Sequence, residues 1–207
     1  MRRKDREITD TNTIATFIAK EQILRIAFYD EDDIYIVPIN YGYSYDEQYT
    51  FYFHGAKDGR KYNLAKKQPT VGFEIDGNYT LLEGEMACDF SATFQSVVGT
   101  GTLSLVEDTK EKIKGLNAIM KQTTSKSEWA YSDEMLEVVA VFRLDVEKMS
   151  CKAKLWFFEF IWNGFAVKDY YLWIEAYGGN GELLKYKVQS QRKVPYEKQS
   201  TTIYWIC

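Results

Sequence analysis

The stretch Phe51-Tyr52-Phe53-His54-Gly55-Ala56-Lys57-Asp58-Gly59-Arg60-Lys61-Tyr62-Asn63-Leu64 runs an aromatic strand into a turn with two glycines and three cations. A helix pattern follows, from Arg60 to Lys67, and Pro69 forbids its continuation. Lys57, Arg60 and Lys61 lie within five residues, beside backbone that glycine lets a ligand approach closely. That arrangement suits an anion, and a phosphate monoester is the obvious candidate. A solvated basic turn is the plainer alternative. His54, the one histidine of the chain, stands directly before the turn.

Outward from this stretch the chain reads as β-rich. Upstream, Asp10 or Thr11 caps a helix with Ile14, Phe17 and Ile18 on its inner face. Leu24 to Tyr29 is a strand, Asp30-Glu31-Asp32-Asp33 an acidic turn, and Ile34 to Tyr43 a second strand. Pro38 cannot donate to a sheet ladder, so it belongs at an edge, a bulge or a ligand site. With Tyr49 to His54 as the next strand, residues 24 to 54 resemble an antiparallel meander, since the connections are too short for crossovers. Downstream, Thr70 to Asp76 alternates cleanly and Gly77-Asn78 reads as a turn. Phe90 to Val106 reads as one long curved strand or a bent pair, with Gly99 and Gly101 permitting the curl of a barrel. Asp108 caps a helix over Thr109 to about Lys121, Trp129 to Asp133 is a loop, and Glu137 to Val146 is a last strand. The fold class is mainly β: six or so antiparallel strands with two or three peripheral helices over residues 1–154 fit a small closed β-barrel.

Residues 155–207 form a C-terminal extension of different character, with four of the five tryptophans and no sustained periodicity. Leu155 to Trp162 suits a helix or a strand, and Leu183 to Gln189 a further strand. The whole chain has 207 residues, 45% hydrophobic and 27% charged, within the range of soluble globular proteins. A net charge of −4 gives no overall basic field for nucleic acid. The basic N-terminus lacks a following apolar run, so no signal peptide is expected, and no run of about 18 apolar residues suggests a membrane helix. Cys88, Cys151 and Cys207 show no metal spacing and read as reduced thiols of a cytoplasmic protein, Cys88 as a buried apolar residue.

Val37-Pro38-Ile39-Asn40-Tyr41, followed by Tyr52 to Lys61, resembles the pyridoxamine 5′-phosphate oxidase-like flavin-binding split barrels. The likeness is to the branch of the 5-nitroimidazole resistance (nitroimidazole reductase) proteins. Met1 to Ile8, Phe94 to Gly101 and Leu116 to Met120 extend the resemblance over residues 1 to 154. It implies a homodimer with FMN at the subunit interface and the FMN phosphate gripped by Lys57, Arg60 and Lys61. It also places the flavin ring edge against Pro38, Ile39, Asn40 and Tyr41, with Ser96 and Val97 approaching from the far side of the barrel. His54 matches a histidine that faces the flavin site in that branch, and Gly55 belongs to the same turn. Phe94 departs from the more usual tyrosine, and the extension lies beyond the family pattern.

The resemblance implies an FMN-dependent oxidoreductase acting on a small organic substrate, nitroimidazoles among the candidates. Flavin chemistry needs no protein nucleophile, so the lack of a catalytic triad is no objection. His54 reads either as a hydrogen-bonded structural residue or as a tentative catalytic one, binding substrate or donating a proton. The alternative classes are a flavin- or haem-binding module without turnover and a haem-utilisation protein.

Overall fold

The computed structural model describes residues 3–124 and 126–154, together with the backbone of 171–177 and 183–189. The chain divides into two compact units, Met1–Lys154 and Leu155–Cys207. In the first unit β1 (Glu7–Ile8) precedes α1 (Thr11–Lys20), whose first turn is capped by the Asp10 carboxylate accepting from Thr13 N–H at 2.7 Å. Two hairpins follow, β2 (Ile23–Asp30) with β3 (Asp33–Asn40) and β4 (Gly42–Asp46) with β5 (Gln48–Ala56). Then come α2 (Arg60–Ala65), β6 (Thr70–Leu82), β7 (Ser91–Val106), α3 (Thr109–Thr124), α4 (Asp133–Val138) and β8 (Val139–Lys154). The strands are joined antiparallel in the order β3-β2-β6-β7-β8-β5-β4, with β1 on β8.

β3 and β4 are thus the two ends of the ladder, although only Tyr41 separates them in sequence. The sheet curls into an antiparallel split β-barrel with peripheral helices. The expected meander over 24–54 is therefore wrong, because the chain changes edge at Tyr41. The physical cause is a set of long-range contacts at this corner. Tyr41 is buried, its hydroxyl donates to the Ile18 carbonyl at 2.6 Å, and its ring meets Phe51 edge-on at 5.5 Å. Gly42 lies so close to α3 that a Cβ there would fall 2.1 Å from the Ala118 backbone. Pro38 sits on edge strand β3, where its missing N–H costs no ladder bond.

Alternation along the strands fills the barrel with Ile26, Phe28, Phe51, Phe53, Ile75, Leu103, Phe142 and Leu144, all nearly inaccessible. Outside it, α3 and α4 cover Tyr52, Val106 and Val141 through Leu116, Ile119 and Leu136. The segment 91–106 is one continuous strand, and its register against β8 slips between Thr100 and Gly101. A Cβ at Gly99 would meet the Lys148 carbonyl oxygen at 2.4 Å, and one at Gly101 the Asp145 oxygen at 2.2 Å. Three expectations need correction. Gly77-Asn78 is a bulge within β6, with Asn78 at φ 55°, and the strand continues to Leu82. Glu137 and Val138 close helix α4, capped by Ser132, so the last strand starts later and runs to Lys154. Cys88 is exposed in the link between β6 and β7, where hydrogen-bonded turns rather than core packing hold the chain.

In the second unit β9 (Tyr171–Tyr177) and β10 (Leu183–Gln189) pair antiparallel from Tyr177↔Leu183 to Tyr171↔Gln189. The segment from Leu155 to Trp162 and Cys207 lie outside the described residues. Among the described residues no helix is long and apolar enough to cross a membrane, and no cluster of His, Cys, Asp and Glu suits a metal ion.

Candidate functional site

Odd-numbered residues of β5 fill the barrel, which turns Tyr52 and His54 outward. His54 pairs with Val141 and Val141 with Val106, so the three side chains form one cross-strand row on the outer face. Val106 and Val141 line a cleft of about 270 Å³, together with Leu105, Val139, Ala140 and Tyr62. Lys57, Lys112 and Glu107 stand at its polar side. Two residues before His54 on β5, Tyr52 donates from its hydroxyl to Glu111 at 2.6 Å, and Arg143 donates to the same carboxylate oxygen at 3.1 Å. This network pins α3 over the sheet beside the His54 row. Burial, then the Glu111 carboxylate, pushes the Tyr52 hydroxyl up to about 12.

His54 is exposed by area, yet desolvation by nearby protein and then the charge of Lys61 hold its imidazole below its ordinary value of 6.5. It is therefore neutral at pH 7. Lys61 is half-buried, its Nζ 5.4 Å from the Phe53 ring centroid and 5.1 Å from that of Phe142. Those rings stack at 4.7 Å and 9°. Desolvation lowers the Lys61 pKa, and no carboxylate of the described residues pairs with it. Gly55 makes this placement feasible: a Cβ there would stand 3.3 Å from Lys61 Nζ. Gly59 starts α2 at φ 89°, with nothing within 4 Å of where its Cβ would be. Its N–H donates to the Asp58 carboxylate at 2.6 Å, and its carbonyl accepts from Asn63 N–H at 3.0 Å.

Arg60 is differently engaged. Its Nε donates to Asp30 at 2.8 Å and its Nη2 to Asp33 at 2.7 Å, with the guanidinium 4.7 Å above the Tyr35 ring. These carboxylates raise its pKa, and Arg60 in turn lowers that of Asp33. The first turn of α2 is thereby tied to the tip of the β2–β3 hairpin. The acidic run 30–33 was legible as a turn, but nothing in the sequence announced a partner 30 residues away. Tyr62, Lys112 and Glu107 were likewise missed; only the packing of α2 and α3 brings them to one cleft.

The remaining candidates fall elsewhere. Ile39, Tyr41 and Val97 point into the core. Pro38, Asn40 and Ser96 lie on the outer surface of the β3-β2-β6-β7 half, where Arg25 beside Pro38 is paired with Glu74 at 3.1 Å and with Asp76. The Asn40 amide donates to the Gln22 carbonyl at 3.2 Å. Ser96 meets β8 at Lys152 and His54 meets it at Val141. At about 3.3 Å per residue, roughly 35 Å of strand separates them. One chain gathers His54, Gly55, Lys57 and Lys61, and holds Ser96 far from them along the sheet.

Fold and site together are a split antiparallel barrel with a cationic turn beside a cleft lined by Val106, Val139 and Val141 on one side and by Lys57, Glu107 and Lys112 on the other. The sequence profile described as pyridoxamine 5′-phosphate oxidase matches residues 10–153, and the chain belongs to that family. A putative 5-nitroimidazole antibiotic resistance protein from Bacteroides thetaiotaomicron is 26% identical, with a TM-score of 0.62 over 71% of this chain and 86% of its own. A FAD and heme binding protein from Mycobacterium smegmatis shares the fold at 12% identity, with a TM-score of 0.63 over 96% of this chain and 94% of its own. The flavocytochrome Anf3 from Azotobacter vinelandii does so at 14% identity, with a TM-score of 0.62 over 100% and 91%. No curated protein sequence matches the chain.

Proposed function

We propose that this chain is a homodimeric FMN-binding oxidoreductase that passes electrons from reduced flavin to a small oxidised organic substrate, nitroimidazoles among the candidates. The observation that carries the reading is Lys61: a half-buried ammonium with no carboxylate partner among the described residues, set beside Gly55. That donor set, with Lys57 and Arg60 nearby, fits a phosphate dianion. A flavin held there supplies the redox chemistry, and the chain supplies binding, orientation and access. Lys61 and Lys57 hold the phosphate. His54, neutral and next to the cleft, is placed to hydrogen-bond ligand or hold a proton at one ring nitrogen. Ser96 and Pro38 reach the same ligand from a second copy, a reading supported for Ser96 by its distance from His54 along β8.

The test is the absorption spectrum of the purified protein mixed with FMN. Bound oxidised flavin shows a band near about 450 nm with quenched fluorescence, and its absence sinks the reading. Reduction by a nicotinamide cofactor followed by reoxidation with a nitroimidazole separates an oxidoreductase from a store or sensor. A haem-binding reading has one observation of its own, the neutral imidazole of His54. A Soret band lost in His54→Ala supports that reading instead.

A further inference from the structure

We infer that Asp30 and Asp33 set the affinity of the cationic turn for phosphate by competing for Arg60, so that ligand binding unlatches the β2–β3 hairpin. The inference rests on the FMN reading above and adds to it two residues that touch no ligand. Asp30 and Asp33 are directly paired across the hairpin, where like charges repel. Arg60 relieves that repulsion by donating to both, at 2.8 and 2.7 Å, while lying on Tyr35. Glu31 and Asp32 complete a run of four acidic residues at the tip, with Glu31 at φ 58°. The tip is therefore both conformationally tight and dependent on one cation.

Arg60 directly precedes Lys61, which has no carboxylate partner among the described residues. Exposed ion pairs of the Asp30–Arg60 kind are worth at most about fivefold each in an equilibrium constant. A bidentate guanidinium–phosphate contact is stronger and geometrically matched. A phosphate dianion on Lys61 thus draws Arg60 away from the two aspartates. The hairpin then keeps two unopposed carboxylates at its closing pair and loosens. Coupling is reciprocal, so whatever tightens the hairpin on Arg60 weakens phosphate binding by the same factor.

The experiment compares FMN and riboflavin affinity in wild type, D30N/D33N, R60A and D30N/D33N/R60A by fluorescence quenching. D30N/D33N is expected to bind FMN about threefold to tenfold tighter, with riboflavin affinity unchanged. Adding R60A removes the gain. Hydrogen exchange at residues 28–35 of the wild type rises when FMN is bound. Unchanged or weaker FMN binding by D30N/D33N overturns the latch, as does an equal gain for riboflavin. If no form binds FMN, the flavin reading falls and the latch falls with it.

Discussion

Lys61 has no carboxylate partner among the described residues, and its energetics explain why it suits a ligand. Burial against Phe53 and Phe142 penalises its charge, and no carboxylate among the described residues repays that penalty. A phosphate does so, and Lys61→Ala is expected to weaken FMN binding at least tenfold, about 1.4 kcal/mol, while leaving riboflavin binding nearly unchanged. Only the ammonium form binds, so FMN affinity falls as pH rises through the lowered Lys61 pKa. Titration of affinity against pH in wild type and in Lys61→Arg, whose profile stays flat, checks this. His54 makes an opposite demand. Its folded-state pKa lies below its ordinary 6.5, so the unfolded chain takes up that proton more readily. Its contribution to stability is full above about pH 6.5 and is lost as pH falls through the folded value. Urea unfolding across pH 5 to 8 is expected to show a shallower slope in His54→Gln than in wild type. A slope unchanged by the substitution excludes this account. Sequence alone did not disclose that packing commits Arg60 to Asp30 and Asp33 and half-buries Lys61 against Phe53 and Phe142.

At the scale of elements, what the sequence disclosed was whatever is periodic. Alternation in residues 49–54 and 70–76, the Asp10 and Asp108 caps, and the glycines of β7 follow from rules acting over a few residues. What escaped was decided at long range. Nothing near Tyr41 says that its hydroxyl meets Ile18, and without that contact β3 and β4 look like neighbours. Gly77-Asn78 has turn chemistry, yet pairing with β7 on both sides carries the strand through as a bulge. The glycines show how the long strands depend on close approach. Gly101→Ala would set a Cβ 2.2 Å from the Asp145 carbonyl oxygen, and Gly42→Ala one 2.1 Å from the Ala118 backbone. Each is expected to cost at least about 2 kcal/mol of unfolding free energy. Gly72→Ala, whose Cβ would meet only Ala27 Cβ at 3.8 Å, is expected to change stability by less than about 0.5 kcal/mol. Chemical denaturation of the three variants checks the ranking, and an equal loss at Gly72 would contradict it.

At the scale of the molecule, the outer surface of the β3-β2-β6-β7 half is the feature that a lone barrel does not explain. Ile34 and Ile36 on β3, Tyr29 on β2 and Val98 on β7 are 51–69% exposed, and they surround the paired Arg25, Glu74 and Asp76. Ser96 and Pro38 share this surface, at a distance along the sheet from His54 and Lys61. A two-fold dimer using it uses the same patch on both copies and completes two equivalent sites at once. Ile36→Lys with Val98→Lys places two cations on that surface without disturbing the core, so the folded monomer keeps its thermal stability. In sedimentation velocity the wild type is expected to run as a dimer and the double variant as a monomer. FMN affinity is expected to fall with the dimer by tenfold or more, although neither residue belongs to the cationic turn. A double variant that stays dimeric moves the interface to another surface. A monomer that binds FMN with wild-type affinity shows instead that one chain completes the site alone, with Ser96 and Pro38 outside it.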